Sequence, residues 1–389
     1  MKNGLLYSYP SAQNNVDTQI VVIGGGITGA LISHALVDAG FEVVVIDKRD
    51  IGQGSTSATT SMLQYEIDLS MLELTKLIGE DASAAIYKAG VSAIDVLEKL
   101  VRNLKIDCGF ERKRSLQICH DPGVTKTMHE EFRSREKCGI DVQWLTKEEI
   151  LKQFGINGYG GIVSTAGASL DAYKLAHELI VLNNARGMKV FDQTLINPIK
   201  TTEKGHIITT EDGATITCET IIYCNGYEAT EMLKEKVASL YYTYACISER
   251  EILLPEELFN TLVWDTNDPY FYMRTTEDGR LLIGGEDTDI NYPFNKQKVK
   301  EKKAKNLINT AMKTIPQLSF TEDFSWGGIF GETKDGLPFI GKSPEYENSF
   351  FVLGFGGNGI TFSTQAMEMI PALLKGETHE LLQYYRFGR

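Results

Sequence analysis

Three glycines, Gly24, Gly26 and Gly29, stand at the spacing G-x-G-x-x-G, and an aspartate, Asp47, follows roughly 20 positions later. Where such a motif joins a strand to a helix, the first glycine permits the tight turn and the second lets backbone approach a pyrophosphate. The third lets helix and strand pack closely. A carboxylate at the end of the next strand accepts ribose hydroxyls and repels a 2′-phosphate. Together these residues offer a seat for the adenosine diphosphate part of a dinucleotide, with NADP disfavoured.

The flanking residues supply the elements this chemistry needs. Residues 19–23, Gln-Ile-Val-Val-Ile, form an apolar run of buried-strand type that leads straight into the glycines. Helix-forming sequence spans 27–39, with Ala30, Leu31, Ala35 and Leu36 as its apolar face and Gly40 as its stop. A second apolar strand, 41–46, ends at Asp47. Residues 47–63 then form a glycine- and hydroxyl-rich loop, rich in N–H and O–H donors for phosphate.

At 389 residues the chain is long enough for two domains, one of them threaded through the other. A net charge of −13 argues against nucleic acid or an anionic lipid surface and in favour of a small-molecule partner. The six cysteines show no CxxC pair and no zinc-type spacing with the six histidines, so they read as reduced, mostly buried thiols and no metal is expected. Residues 1–15 are too polar for a signal peptide and no apolar run reaches membrane-spanning length, so a cytoplasmic location is expected.

Several blocks, in order, resemble the D-amino-acid oxidase superfamily of FAD enzymes, above all its glycine oxidase branch. The loop after Asp47 ends in Met62-Leu63 as that branch's does. Ser164 to Asp171 precedes a helix reaching about residue 186, and a strand follows at 188–191. Three strands are joined by the turns Glu203-Lys-Gly205 and Glu211-Asp-Gly213, and Ile221 to Gly226 resembles the strand returning to the cofactor sheet. Trp326 to Gly341 matches the flavin-side strand and its Asp-Gly-x-Pro turn, and 350–353 is a further strand opening into Gly354 to Thr361. That last segment is a second GxGxxG, but no apolar strand ending in an acid follows it, so it is not read as a second nucleotide site.

The resemblance implies an α/β fold: a Rossmann-like FAD-binding domain of glutathione-reductase type, interleaved with an α+β substrate domain built on an antiparallel sheet. The expected division is 15–80, 145–230 and 326–389 for FAD, with 81–144 and 231–325 for substrate. Implied around non-covalent FAD, besides the three glycines and Asp47, are Ile27, Thr28, Lys48, Ser55, Thr56, Thr60, Ser61, Met62, Val190, Asn225, Gly226 and the run Gly356, Gly357, Asn358, Gly359, Ile360 and Thr361. The 47–63 loop holds no His or Cys, and Gly328 stands where the monomeric sarcosine oxidase branch has its flavin-linking cysteine. No second nucleotide fingerprint lies between 60 and 350, so the substrate itself is the expected electron donor.

In the second domain, 81–105 reads as a long amphipathic helix whose Ile86, Val91, Ile94, Leu97 and Val101 are core. Strands are expected at 110–119, 240–248, 262–264, 269–275 and 280–285. The hairpin 269–285 resembles the family pair bearing substrate-facing tyrosines, and Tyr270 and Tyr272 share a face by strand alternation. Glycine oxidase has carboxylate-binding arginines where this chain has Phe330 and Gly357, and the glycerol-phosphate dehydrogenase branch has one where Ala58 stands. Two readings remain: a relocated cation, with Arg274 the candidate, or an amine substrate without that carboxylate. The implied reaction is hydride transfer from the substrate Cα–H to flavin N5, giving an imine that hydrolyses, with oxygen or a separate acceptor reoxidising the flavin. The alternatives are a 2-hydroxy-acid dehydrogenase of the same superfamily and a flavin-binding module that has lost catalysis.

Overall fold

The structure, a computed structural model, describes residues 4–250, 253–267, 269–291 and 297–389. Residues 1–3 of the polar N-terminal stretch lie outside the described residues.

Two sheets organise the chain. In the first, Val16–Ile23 runs parallel to Val43–Ile46 on one side and Thr215–Tyr223 on the other. Lys189–Phe191 and Ser349–Leu353 extend it in parallel, and Phe339–Lys342, Gly205–Thr210 and Ile196–Thr202 add antiparallel strands. The central strand is apolar on both faces because both are covered. Ile20 and Val22 pack among Leu31, Leu36, Leu175 and Phe362 of the flanking helices, while Val21 packs among Ile208, Ile216 and Phe351. Each such fully buried aliphatic side chain contributes about 1.5–3 kcal/mol.

The helix Ile27–Asp38 ends as its sequence expects. Gly40 takes φ +89°, its N–H reaches Val37 O at 3.1 Å, and the Phe41 N–H reaches Leu36 O at 3.0 Å. That paired capping satisfies carbonyls that a straight continuation would leave open.

The second sheet has nine strands, with Glu322–Glu332, Ser239–Ser248, Leu281–Asp289, Phe271–Thr275, Thr261–Asp265, Glu111–Cys119, Gly160–Ser169 and Met62–Gln64 in spatial order and Val142–Thr146 beside Gly160–Ser169. It is mixed rather than purely antiparallel, because Thr261–Asp265 runs parallel to Glu111–Cys119.

Several elements cross the expected division. Gly160–Ser169, within the stretch 145–230 expected for FAD and followed by the helix Ala172–Ala185 as Ser164 to Asp171 led one to expect, is a strand of the second sheet between Glu111–Cys119 and Val142–Thr146. Its glycines are sites of close packing: a Cβ on Gly161 would sit 2.9 Å from Gln117 O, and one on Gly167 2.9 Å from Lys113 O. Met62–Gln64 joins the same sheet, and the expected boundaries at 145 and 326 fall inside strands. The helix Glu80–Leu104, expected with the substrate sheet, buries Ile86, Ile94, Leu97 and Val101 in one core with Val22, Phe362 and Met369 of the nucleotide-binding half. Among the described residues no helix is long and apolar enough to cross a membrane.

Candidate FAD and substrate site

One cavity of about 1510 Å³ runs between the two sheets. Pockets for single small ligands occupy about 300–1,000 Å³, so this one has room for a dinucleotide and a small substrate together.

At its nucleotide end the glycine turn is held from several sides. Gly24 takes φ +109°, and its N–H donates to Ile46 O at 2.8 Å. A Cβ on Gly24 would lie 2.5 Å from Cys224 O, and one on Gly29 only 1.8 Å from Gly24 O. Asp47 Oδ2 accepts the Gly25 N–H at 2.7 Å, and Oδ1 accepts the Arg49 N–H at 2.9 Å. Burial raises the Asp47 pKa, opposed by those two N–H bonds and the Arg49 charge. Each carboxylate oxygen keeps a second lone pair for a ribose hydroxyl. Lys48 and Arg49 both pair with Glu228, at 2.8 and 2.9 Å.

Two helix N-termini open into the same cavity. Ile27–Asp38 and Gly359–Leu374 both start without a side-chain cap, and Gly26, Thr28, Gly359 and Ile360 line the cavity. Their first-turn N–H groups and dipoles favour negative charge. The Thr28 and Ser363 hydroxyls hydrogen-bond at 2.7 Å and lock the two helices side by side. The 47–63 loop packs against the first of them, with Thr56 Oγ1 accepting the Ile27 N–H at 2.9 Å. The glycine turn at one helix start, a second helix start elsewhere in the same cleft and the Asp47 carboxylate fit FAD.

The cavity lining brings together Gly24, Gly26, Ile27, Thr28, Asp47, Lys48, Ser55, Thr56, Thr60, Met62, Asn225, Gly226, Phe330 and the segment 356–360. Gly29, Ser61, Val190 and Thr361 stand behind the wall. Gly29 packs on Gly24, Val190 pairs with Val45 in the sheet, Ser61 is buried, and Thr361 Oγ1 donates to Asn358 O at 2.8 Å.

At the other end, Tyr241, Tyr270, Tyr272, Trp326 and Phe330 form an aromatic wall. Tyr270 and Tyr272 stack with centroids 5.7 Å apart, and Phe330 lies 5.9 Å from Tyr241. Trp326 Nε1 donates to Ala58 O at 2.8 Å, pinning the wall to the 47–63 loop.

Arg274 takes no part in this wall. Its Nε donates to Thr60 O at 2.5 Å and its Nη1 to Thr275 O at 3.0 Å, so the guanidinium braces the loop behind the cavity. Burial lowers its pKa to about 10. The arginines that do line the cavity are engaged: Arg49 with Glu228, and Arg135 with Glu131 at 2.7 Å and Gln117 at 2.9 Å.

Sequence reasoning missed the carboxylates Glu66, Asp68, Asp287 and Glu332, all of which line the cavity. Asp68 Oδ1 accepts the Gly357 N–H at 3.2 Å. The expected strand 280–285 extends through polar residues to Asp289, which carries Asp287 into the site. Gly285 followed by a cluster of acids was the available signal, because it reads as a bulge rather than a strand end. Among the described residues no group of three or more His, Cys, Asp or Glu side chains could hold a metal ion, and the six cysteines are free thiols.

A family model described as FAD dependent oxidoreductase matches residues 19–370. The chain belongs to that family. FAD is therefore its cofactor and redox chemistry its activity. The glycine oxidase of Geobacillus kaustophilus (strain HTA426) is 25% identical over 354 residues, 88% of this chain and 89% of the relative. The gamma-glutamylputrescine oxidoreductase of Escherichia coli (strain K12) is 24% identical over 382 residues, 95% of this chain and 86% of the relative. The crystal structure of glycine oxidase from Geobacillus kaustophilus superposes with a TM-score of 0.81 at 22% identity, covering 96% of this chain and 100% of that one. L-amino acid deaminase from Proteus vulgaris gives 0.80 at 14% identity, covering 99% and 100%. These likenesses show a shared fold.

Proposed function

We propose that the protein oxidises a small amine that is not held through a carboxylate. The observation carrying this is the substrate wall, which is aromatic and acidic, while the lining arginines are spent on protein partners. An amino-acid carboxylate calls for a free bidentate donor, and Arg274, the one relocated candidate, lies outside the cavity. The relatives bracket the reading, since one is named for glycine and another for gamma-glutamylputrescine.

Bound FAD supplies a two-electron acceptor for the hydride on the carbon bearing the nitrogen. Loss of that hydride and of one N–H proton leaves an imine, which water hydrolyses to a carbonyl compound and an amine. The protein's share is positioning and exclusion of water. Tyr270, Tyr272, Phe330 and Trp326 enclose the substrate with apolar surface, and the adjacent carboxylates favour an approaching ammonium.

The test is anaerobic mixing of the purified holoprotein with panels of amines, amino acids and 2-hydroxy acids while the flavin absorbance is followed. Amines are expected to bleach the band. Bleaching by hydroxy acids alone overturns the reading. Admitting oxygen and measuring peroxide then separates oxygen from a protein or quinone as the acceptor.

A further inference from the structure

The strand Leu281–Asp289 carries a bulge where it passes the cavity. Tyr242 stands opposite Thr288 and Tyr244 opposite Gly285, so Glu286 and Asp287 together face Thr243 alone. Glu286 adopts φ +58°, a left-handed conformation that side-chain-bearing residues rarely take. The extra residue separates the two acids. Glu286 turns to the helix Gln297–Thr314, where Lys303 lies at 3.0 Å and Asn306 donates at 3.1 Å, and Asp287 joins the cavity wall.

Asp68 approaches from a different part of the chain. A Cβ on Gly356, itself at φ +74°, would lie 2.0 Å from Asp68 Oδ2, so that glycine makes room for the carboxylate. Glu332, on the edge strand Glu322–Glu332, adds a third acid to the lining. Deeper in, the Glu66 side chain is only 3% exposed, and its Oε1 accepts from Ser115 at 2.8 Å with Arg135 at 3.7 Å. Its Oε2 has no hydrogen-bond partner, although Glu66 forms part of the cavity wall.

The cations near this wall have partners of their own, and Arg135 also serves Glu66. Lys303 pairs with Glu286, Arg135 with Glu131, and Arg274 with backbone carbonyls. Desolvation by the surrounding protein first, and then the charges of Glu332 and Asp287, push Asp68 up to about 6, and desolvation with Glu332 does the same for Asp287 against the Thr243 and Tyr270 hydrogen bonds and the Lys303 charge. Asp68 and Glu332 are exposed and Asp287 is half-buried, so the three carboxylates lining the cavity present their charge to what enters it and favour a ligand that brings positive charge.

We propose that this wall is a cation subsite and that the substrate is an aliphatic diamine or polyamine, one nitrogen of which is oxidised while another stays as an ammonium held by Asp68 and Asp287. The proposal rests on the amine-oxidising reading. A nitrogen must be neutral for its carbon to give up a hydride, so the retained charge belongs to a second nitrogen. The bulge and the Gly356 cradle place the two anchoring carboxylates by backbone geometry, which makes the subsite a fixed part of the fold.

The test uses FAD-loaded protein reduced with dithionite under argon, which cannot turn over, and equilibrium dialysis against 1,4-diaminobutane, butylamine and 4-aminobutanoate. The diamine is expected to bind at least tenfold more tightly than butylamine and the amino acid more weakly than either. In Asp287→Asn and in Asp68→Asn that diamine advantage should fall below threefold. Glu332→Gln should reduce it less, and flavin content reports whether each variant folds. Equal binding of diamine and monoamine, or an advantage that survives in every variant that retains flavin, overturns the subsite. Stopped-flow mixing with oxidised protein separates this from the broader reading. A diamine preference without flavin reduction by any amine sinks amine oxidation and leaves the subsite standing, whereas reduction by both amines with equal affinity does the reverse.

Discussion

Replacing Gly29 with alanine is expected to strip the protein of FAD. The new Cβ would lie 1.8 Å from Gly24 O and 3.0 Å from Gly24 C. A carbon–oxygen contact settles near 3.3 Å or more, so helix and turn must separate by about 1.5 Å. The helix cannot retreat, because Ala30, Leu31 and Leu36 are fully buried and Thr28 is bonded to Ser363 at 2.7 Å. The turn moves instead, taking with it the N–H groups that face the pyrophosphate. Overpacking of this kind costs about 1–3 kcal/mol of stability. An ångström-scale misplacement of the binding groups is expected to cost on the order of 100-fold in FAD affinity, about 2.7 kcal/mol. The assay is the flavin-to-protein absorbance ratio after desalting, together with Tm measured with and without added FAD. Gly158→Ala serves as control, because its nearest neighbour, Cys119 O, is 3.5 Å away. That variant should stay within about 0.5 kcal/mol of the parent and keep its flavin. A Gly29→Ala protein with full flavin and unchanged Tm would refute the steric argument.

Arg135→Met should lower stability by about 3–5 kcal/mol, because it leaves Glu131 and Glu66, side chains only 4% and 3% exposed, without their counter-charge. An unchanged urea midpoint would contradict this. Asp68 and Asp287 hold their protons more tightly in the folded protein, at about 6 against an ordinary 3.8. Their contribution to stability is therefore fully present below about 4 and is lost as pH rises through about 6. Replacing both with Asn should flatten the Tm profile across that window, and a profile as steep as the parent's would count against the assignment. Acid precipitation should leave all the flavin in solution. Cys224 lines the cavity, but burial pushes its thiol well above the usual range and keeps it unreactive. Yellow colour in the pellet would show a covalent link.

The glycine turn and the elements around it were legible in the nucleotide half because their determinants are local. Gly24, Gly26 and Gly29 act on backbone within a few positions, and an apolar strand, a capped helix and a second strand follow without interruption. The same holds for the tyrosine pair, since alternation along one strand puts Tyr270 and Tyr272 on one face. Where the outcome depended on distant pairing, the sequence left it open. Gly160–Ser169 fell on the FAD side of the expected division, whereas its pairing with Glu111–Cys119 and Val142–Thr146 puts it in the second sheet, and Glu80–Leu104 was expected with the substrate domain, whereas its apolar face packs into the nucleotide-binding core.

The sharpest contrast lies at the substrate end. The sequence showed that Phe330 and Gly357 are not arginines, and so which anchor is missing. Only the tertiary structure ties Arg274 to Thr60, bulges Asp287 toward the cavity and seats Asp68 against Gly356. A charged side chain's direction follows from strand register and from the groups packed around it. For Arg274 and Asp68 those groups come from segments more than 200 residues away, with Asp68 and Gly357 289 positions apart, while Asp287 is set by the pairing of neighbouring strands.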